Sequence, residues 1–181
     1  TLMFDCGEGT QRQMMRYGIS FALCDIFFTH MHADHMLGLT GLLRTLALQG
    51  RTDPMNLYGP VGCEKLLRRA ITLGSEKQHF EIKVIELTPD APLKRNGYSV
   101  VPFPVEHGDR SAVGYHIVEE TRLGRFNPDK ARELGIPEGP LWGKIHKGEA
   151  IDLPDGRRVN PSELVGPTRP GRRTGPRGPR R

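Results

Sequence analysis

His30-Met31-His32-Ala33-Asp34-His35 places three imidazoles and one carboxylate within six residues, directly after the apolar run 23–29. The run predicts a buried strand, and a leucine-rich segment after the motif predicts a helix. A strand end followed by a tight turn lets alternating side chains converge. We therefore expect His30 and His32 to face one metal ion, and Asp34 and His35 to face a second.

Imidazole and carboxylate ligands together suit zinc or manganese. Two such ions about 3.5–4 Å apart can hold a phosphate or a carbonyl group between them. The alternative is a surface histidine cluster that binds no metal. The buried strand before the motif and the helix after it disfavour this alternative, because they hold the loop rigidly.

Two residues elsewhere in the chain are candidates for the same site. His107 follows an apolar strand and precedes Gly108, so we predict that it is a further metal ligand, although a histidine at a strand end is often structural. Asp5 ends the first predicted strand. It either orients a metal ligand from behind or caps the helix predicted within residues 8–17. Three other histidines do not follow a predicted strand end in this way, and we predict that they are not metal ligands: His79, His116 and His146.

The order of predicted elements indicates an α/β layered domain, because strands and helices alternate and are followed by further strands. Strands are predicted at 2–5, 23–29, 55–58, 80–85, 98–105 and 112–118. Helices are predicted at 11–16, 36–49, 62–73 and 128–134. We assign residues 1–120 to this core.

Composition sets limits on the function. The net charge of +5 comes from six arginines within residues 168–181, and the rest of the chain has 20 basic and 21 acidic side chains. The composition of residues 1–167 therefore does not indicate a protein that coats nucleic acid. No apolar run approaches the ~18 residues of a membrane span, which excludes an integral membrane protein. Three scattered cysteines fit a reducing cytosol.

The second half of the chain changes character. Glycine and proline punctuate residues 121–150, which carry six basic and four acidic side chains, and we predict an inserted flexible arm. Residues 151–167 are predicted to return to the core. Residues 168–181, rich in arginine, glycine and proline, are predicted to be a disordered tail.

Taken together, these motifs resemble a known family. The pattern His-x-His-x-Asp-His after a strand resembles the metallo-β-lactamase superfamily, whose fold is an αββα sandwich. Its flanks resemble ribonuclease Z, the endonuclease family that trims tRNA 3′ ends. The resemblance rests on four stretches: residues 4–13, 28–43, 50–60 and 124–143.

The resemblance implies a specific chemistry and partners. Precursor tRNA would be cut after the discriminator nucleotide, which leaves a 3′-hydroxyl on the tRNA and a 5′-phosphate on the trailer. Two zinc ions, or manganese, would serve each complete site. His30, His32 and His107 would hold one ion, and Asp34 and His35 the other. Asp34 would also be catalytic, receiving the proton of the attacking water.

The same resemblance implies a cytoplasmic homodimer whose arm, residues 121–150, grips the tRNA. Trp142, the single tryptophan, would either stack on RNA or pack within the arm. Other superfamily hydrolases remain as alternatives, namely an arylsulfatase or a phosphodiesterase. A small substrate would have no use for such an arm.

The chain also departs from the family pattern. It opens at Thr1 within a predicted strand, and after Gly171-Arg172-Arg173 it continues as Thr-Gly-Pro-Arg. The family there has a strand whose aspartate bridges the two metals, followed later by another metal-binding histidine. We expect an incomplete copy of the sandwich that does not cleave tRNA by itself. A non-catalytic truncated paralogue is therefore a further alternative.

Overall fold

The computed structural model describes residues 1–74, 79–108, 110–153 and 155–175. Its residues divide into two compact units. The first comprises Thr1–Ile117 and the residues from Thr174 onward, and the second comprises Val118–Arg173. Among the described residues, no helix is both long and apolar enough to cross a membrane.

A four-stranded sheet forms one layer of the first unit. Its strands are β1 (Leu2–Phe4), β2 (Asp25–Phe27), β3 (Met55–Pro60) and β4 (Ile82–Leu87), paired in that order. All three pairings are parallel. The segments that follow β1 and β2 therefore emerge at the same edge of the sheet, which is where open α/β sheets place their ligands.

Helices connect these strands and cover one face of the sheet. They are α1 (Thr10–Arg16), α2 (Ala33–Met36), α3 (Gly38–Leu48) and α4 (Glu64–Thr72). The apolar stripe of α3 is wholly buried and packs with sheet residues such as Ile26 and Leu57. We predicted a single helix over 36–49. The structure has two, and α2 begins inside the histidine motif itself.

A second sheet packs on the opposite face of the first. It contains β5 (Leu93–Arg95), β6 (Tyr98–Pro104), β7 (Val113–Glu119) and β10 (Arg173–Thr174), in the order β10-β7-β6-β5. Phe27, Tyr58 and Tyr115 lie between the sheets, with the Phe27 and Tyr58 rings stacked at 4.6 Å. The first unit thus has one layer of helices and two layers of sheet, which confirms the predicted partial αββα sandwich.

The second unit has an apolar core of its own. Its elements are α5 (Pro128–Glu133), α6 (Pro140–His146), β8 (Ile151–Asp152), β9 (Arg158–Val159) and α7 (Pro161–Leu164). Its buried cluster consists of Ala131, Ile136, Ile145, Ile151, Leu153, Val159 and Leu164. The predicted division at residue 150 therefore differs from the structure. The polar segment 121–150 has too few apolar residues to form a core alone, and residues 151–167 complete it instead of returning to the sandwich.

The predicted tail also differs over its described part. The backbone N–H of Glu119 donates to the carbonyl of Arg172 at 2.9 Å. The backbones of Arg122 and Arg169 form an isolated antiparallel β-bridge. Gly171 permits this pairing, because a Cβ there would lie 1.9 Å from the Glu119 carbonyl oxygen. Backbone pairing thus orders residues 168–175 despite their composition. Residues 176–181 lie outside the described part of the chain.

Candidate metal centre

The candidate site lies at the carboxyl edge of the parallel sheet. Asp5 follows β1 there, and Thr29 and His30 follow β2. His107 comes from the second sheet, three residues after β6 ends. The structure thus brings together side chains that are far apart in the sequence, as the strand ends predicted.

Three histidines form the centre of this site. The Nε2 atom of His30 lies 3.0 Å from Nδ1 of His32, and Nε2 of His107 lies 3.1 Å from the same Nδ1. One ring nitrogen from each residue lies within 4.8 Å of the other two. The structure thus brings His30, His32 and His107 together, and their role as metal ligands stays a prediction.

The electrostatics of the cluster favour a neutral imidazole at His30. His30 is buried, with 1% of its surface exposed. Burial, aided by the neighbouring imidazoles, lowers the pKa of His30 from 6.5 to about 4. A histidine binds metal through the lone pair of its neutral ring, so protons do not compete for His30 near neutral pH.

The donor set therefore fits a divalent metal ion. A neutral imidazole has one N–H and one lone pair, so three ring nitrogens that crowd together cannot all be satisfied by donating to one another. A cation among them would accept three lone pairs. Three histidines with an open fourth position are a common zinc ligand set.

Asp34 and His35 are the remaining members of the motif, and they lie side by side. The Oδ2 atom of Asp34 is 3.5 Å from Nε2 of His35. The Asp34 side chain is 80% exposed, so a substrate or a water can reach it. The His35 ring packs 4.1 Å from the ring of His30, which places this pair next to the three-histidine cluster.

Asp5 holds this arrangement from behind. Its backbone adopts a left-handed conformation with φ of 55°, which aspartate tolerates better than most residues. The Oδ2 atom lies 2.7 Å from Nδ1 of His35, and Oδ1 accepts the backbone N–H of Thr29 at 2.7 Å. The N-cap of α1 is Gly9 instead. Of the two predicted roles for Asp5, orienting a histidine is the one observed.

The loop after β1 packs backbone to backbone against the histidine loop. The N–H of Cys6 donates to the carbonyl of His35 at 2.7 Å, and the N–H of Gly38 donates to the carbonyl of Cys6 at 2.9 Å. Gly7 and Gly38 allow this approach, because a Cβ at either position would lie about 2 Å from a carbonyl oxygen of the facing loop. Sequence reasoning missed this role for both glycines, although paired glycines beside a predicted strand end were a visible signal.

The remaining histidines of the described chain and the two buried cysteines are not part of the three-histidine cluster. The ring of His116 stacks on Phe103 at 4.3 Å, and Nε2 of His146 donates to the carbonyl of Gly124 in the second unit. Burial raises the pKa of the Cys6 thiol to about 11 and that of Cys63 to about 12, so both thiols are unreactive. Neither His116 nor His146 belongs to the described three-histidine cluster.

Trp142 packs inside the second unit. Its Nε1–H donates to the carbonyl of Ile136 at 3.1 Å, and its ring lies 5.1 Å from the ring of Phe126. The Arg132 guanidinium lies 5.6 Å from the centre of the indole. These contacts favour packing within the arm over stacking on RNA, which were the two predicted roles of Trp142.

A family model for the beta-lactamase superfamily domain matches residues 1–131. The chain belongs to the beta-lactamase superfamily. The superfamily fold is also shared by the solved short form of human tRNase Z, which is 33% identical with a TM-score of 0.57 and covers 65% of this chain and 54% of that one. A diphosphatase of the PhnP family is 25% identical with a TM-score of 0.51, covering 74% of this chain and 51% of that one.

Curated relatives within the superfamily narrow the comparison further. Ribonuclease Z of Gemmatimonas aurantiaca is 60% identical over 174 residues, which are 96% of this chain and 55% of that protein. Ribonuclease Z of Myxococcus xanthus is 51% identical over 172 residues, or 95% of this chain and 56% of that protein. The predicted resemblance to ribonuclease Z is thus confirmed. The chain spans about half the length of these relatives.

The close approach of the two loops can be tested in this superfamily member with Gly7→Ala. The added Cβ would lie 2.1 Å from the Asp34 carbonyl oxygen, and the backbone of the histidine loop cannot yield as a flexible side chain would. We expect urea unfolding to show a loss of ~1–3 kcal/mol in stability. Gly143→Ala is the control, because nothing lies within 4 Å of its Cβ, and it should be neutral or slightly stabilising. Wild-type stability of Gly7→Ala would contradict the packing argument.

Proposed function

We propose that this chain carries the metal-binding part of a zinc-dependent ribonuclease Z-type endoribonuclease. The enzyme removes the 3′ trailer from precursor tRNA and leaves a 3′-hydroxyl on the tRNA and a 5′-phosphate on the trailer. The observation that supports this most strongly is 60% identity to a ribonuclease Z across 96% of the chain. A cytoplasmic location and a homodimer follow from the same resemblance and remain predictions.

In this proposal His30, His32 and His107 hold one zinc ion, and Asp34 and His35 contribute to holding a second. Bound zinc ions would neutralise charge that develops on the phosphate and lower the pKa of water. Asp34 is assigned the role of proton acceptor, because its exposed carboxylate stands beside His35 at the edge of the cluster. Manganese would suit the same nitrogen and oxygen donors.

The second unit is the proposed grip on the tRNA. Arg122 and Arg132 are engaged in ion pairs, with Glu119 and Glu138 respectively. The other basic side chains of residues 121–150 are exposed and form no ion pair with the described residues: Arg125, Lys130, Lys144 and Lys147. Such cations bind phosphates and position an RNA without reading its sequence.

The competing function is hydrolysis of a small phosphoester. The likeness to a solved diphosphatase at 25% identity favours considering it. The second unit favours the larger substrate. It has an apolar core of its own and four exposed cations, and a small molecule would not need such a surface. Arylsulfatase activity has no such supporting observation.

Metal content tests the first part of the proposal. We expect the purified chain to contain zinc by elemental analysis, and His32→Ala and His107→Ala to lose most of it, because each removes one of three ligands. His79→Ala is the matched control, since this exposed histidine lies outside the cluster. Equal zinc in all four proteins would refute the ligand assignment.

Activity is best tested in a chimera in which this chain replaces the matching segment of the Gemmatimonas aurantiaca ribonuclease Z. We expect cleavage of precursor tRNA after the discriminator base, and its loss on His32→Ala. Within the chimera, Lys144→Gln with Lys147→Gln should raise KM for precursor tRNA about tenfold or more, since a charge-assisted contact contributes ~1.5 kcal/mol.

Two controls make the chimera decisive. Lys94→Gln removes an exposed cation near the start of β6, away from the end that leads to His107, and should leave KM unchanged. Hydrolysis of bis(p-nitrophenyl) phosphate should survive the double lysine change. Hydrolysis of that small diester with no cleavage of tRNA would favour the competing function.

A further inference from the structure

Thr29 occupies an unusual position between the Asp5 carboxylate and the histidine cluster. It is only 4% exposed. Its backbone is fixed on both sides, because its N–H donates to Oδ1 of Asp5 at 2.7 Å and its carbonyl accepts the N–H of Val113 at 2.9 Å. The hydroxyl is therefore held in place by two hydrogen bonds that do not involve it.

The Thr29 hydroxyl has three polar neighbours, and the farthest of them is Nδ1 of His35 at 3.5 Å, which already lies 2.7 Å from Oδ2 of Asp5. The Oγ1 atom of Thr29 lies 2.8 Å from Oδ2 of Asp5 and 3.0 Å from Nδ1 of His30. An ionised carboxylate can only accept, so the single hydroxyl proton must point toward Asp5. The oxygen lone pairs then face His30, and a favourable bond requires the proton of the His30 ring to be on Nδ1.

This polarity determines which nitrogen of His30 faces the cluster with a lone pair. With the proton on Nδ1, the lone pair is on Nε2, the atom that lies 3.0 Å from Nδ1 of His32. Asp5 acts on His35 in the same way but directly, since Oδ2 lies 2.7 Å from its Nδ1. One carboxylate thereby sets the tautomers of two histidines, one of them through Thr29.

We propose that Thr29 is a positioning residue that relays the Asp5 carboxylate to His30 and fixes the Nδ1–H tautomer of that ring, so that Nε2 is ready to bind metal. The proposal rests on the metal centre assigned above. It extends that centre by a residue which contacts no metal itself. Outer partners of this kind orient metal ligands and raise their basicity.

The variant Thr29→Val removes the hydroxyl and keeps the shape and the backbone hydrogen bonds of Thr29. We expect the zinc affinity of the 181-residue chain, measured by chelator competition, to fall about 10- to 100-fold. Thr29→Ser restores the hydroxyl and should bind zinc nearly as well as wild type. Thr40→Val is the matched control, because the Thr40 hydroxyl donates to the carbonyl of Ala70, away from the cluster.

A second readout does not depend on metal. Nitrogen-15 NMR of the metal-free chain should show His30 protonated on Nδ1 in wild type and in Thr29→Ser, and a mixture of tautomers in Thr29→Val. A proton on Nε2 of wild-type His30, or unchanged zinc affinity in Thr29→Val, would overturn the relay. Failure of the wild-type chain to bind zinc would instead overturn the proposed metal centre, while the NMR result would still decide the role of Thr29.

Discussion

The hydrogen bonds of the Asp5 carboxylate tie together two strand ends that the parallel sheet brings to one edge. Oδ1 holds the backbone of Thr29 after β2, and Oδ2 holds the ring of His35 in the following loop. The left-handed backbone of Asp5 turns the chain so that Cys6 can donate to the carbonyl of His35. Because these bonds fix both ends of the histidine loop, His30 and its neighbours are positioned before any metal arrives, which lowers the entropic cost of binding.

The two units of the chain differ in how precisely their side chains must be positioned. The first unit supplies rigid strand ends, the right place for ligands that must be positioned to a fraction of an ångström. The second unit builds a small separate core from short elements and presents exposed cations. The proposed contact with the phosphates of tRNA needs charge more than exact geometry, so short helices and turns would suffice there.

The metal-binding character of the histidine motif, the strand before it and the α/β layering could be predicted, because each depends on residue types and periodicity along the chain. The position of His107 beside the motif could be predicted as well, since a histidine after a strand end is visible in sequence. The contact of Gly7 with the loop that carries Asp34 could not, because it joins segments 27 residues apart through backbone atoms alone. Helix α6 was missed because glycine and proline within residues 139–143 suggested a loop, although Pro140 sits at a first-turn position that suits it. The pairing around Gly171 was hidden by the composition of the tail.

We propose that His30, His32 and His107 bind one metal ion at the edge of the sheet. X-ray absorption spectroscopy at the zinc edge of the zinc-loaded chain tests it most directly. We predict imidazole nitrogens at ~2.0–2.1 Å from zinc. In His107→Ala, the signal from the more distant atoms of the coordinated imidazole rings should weaken. Sulfur at ~2.3 Å, from a thiol such as the exposed Cys24, together with an unchanged spectrum in His107→Ala, would contradict it.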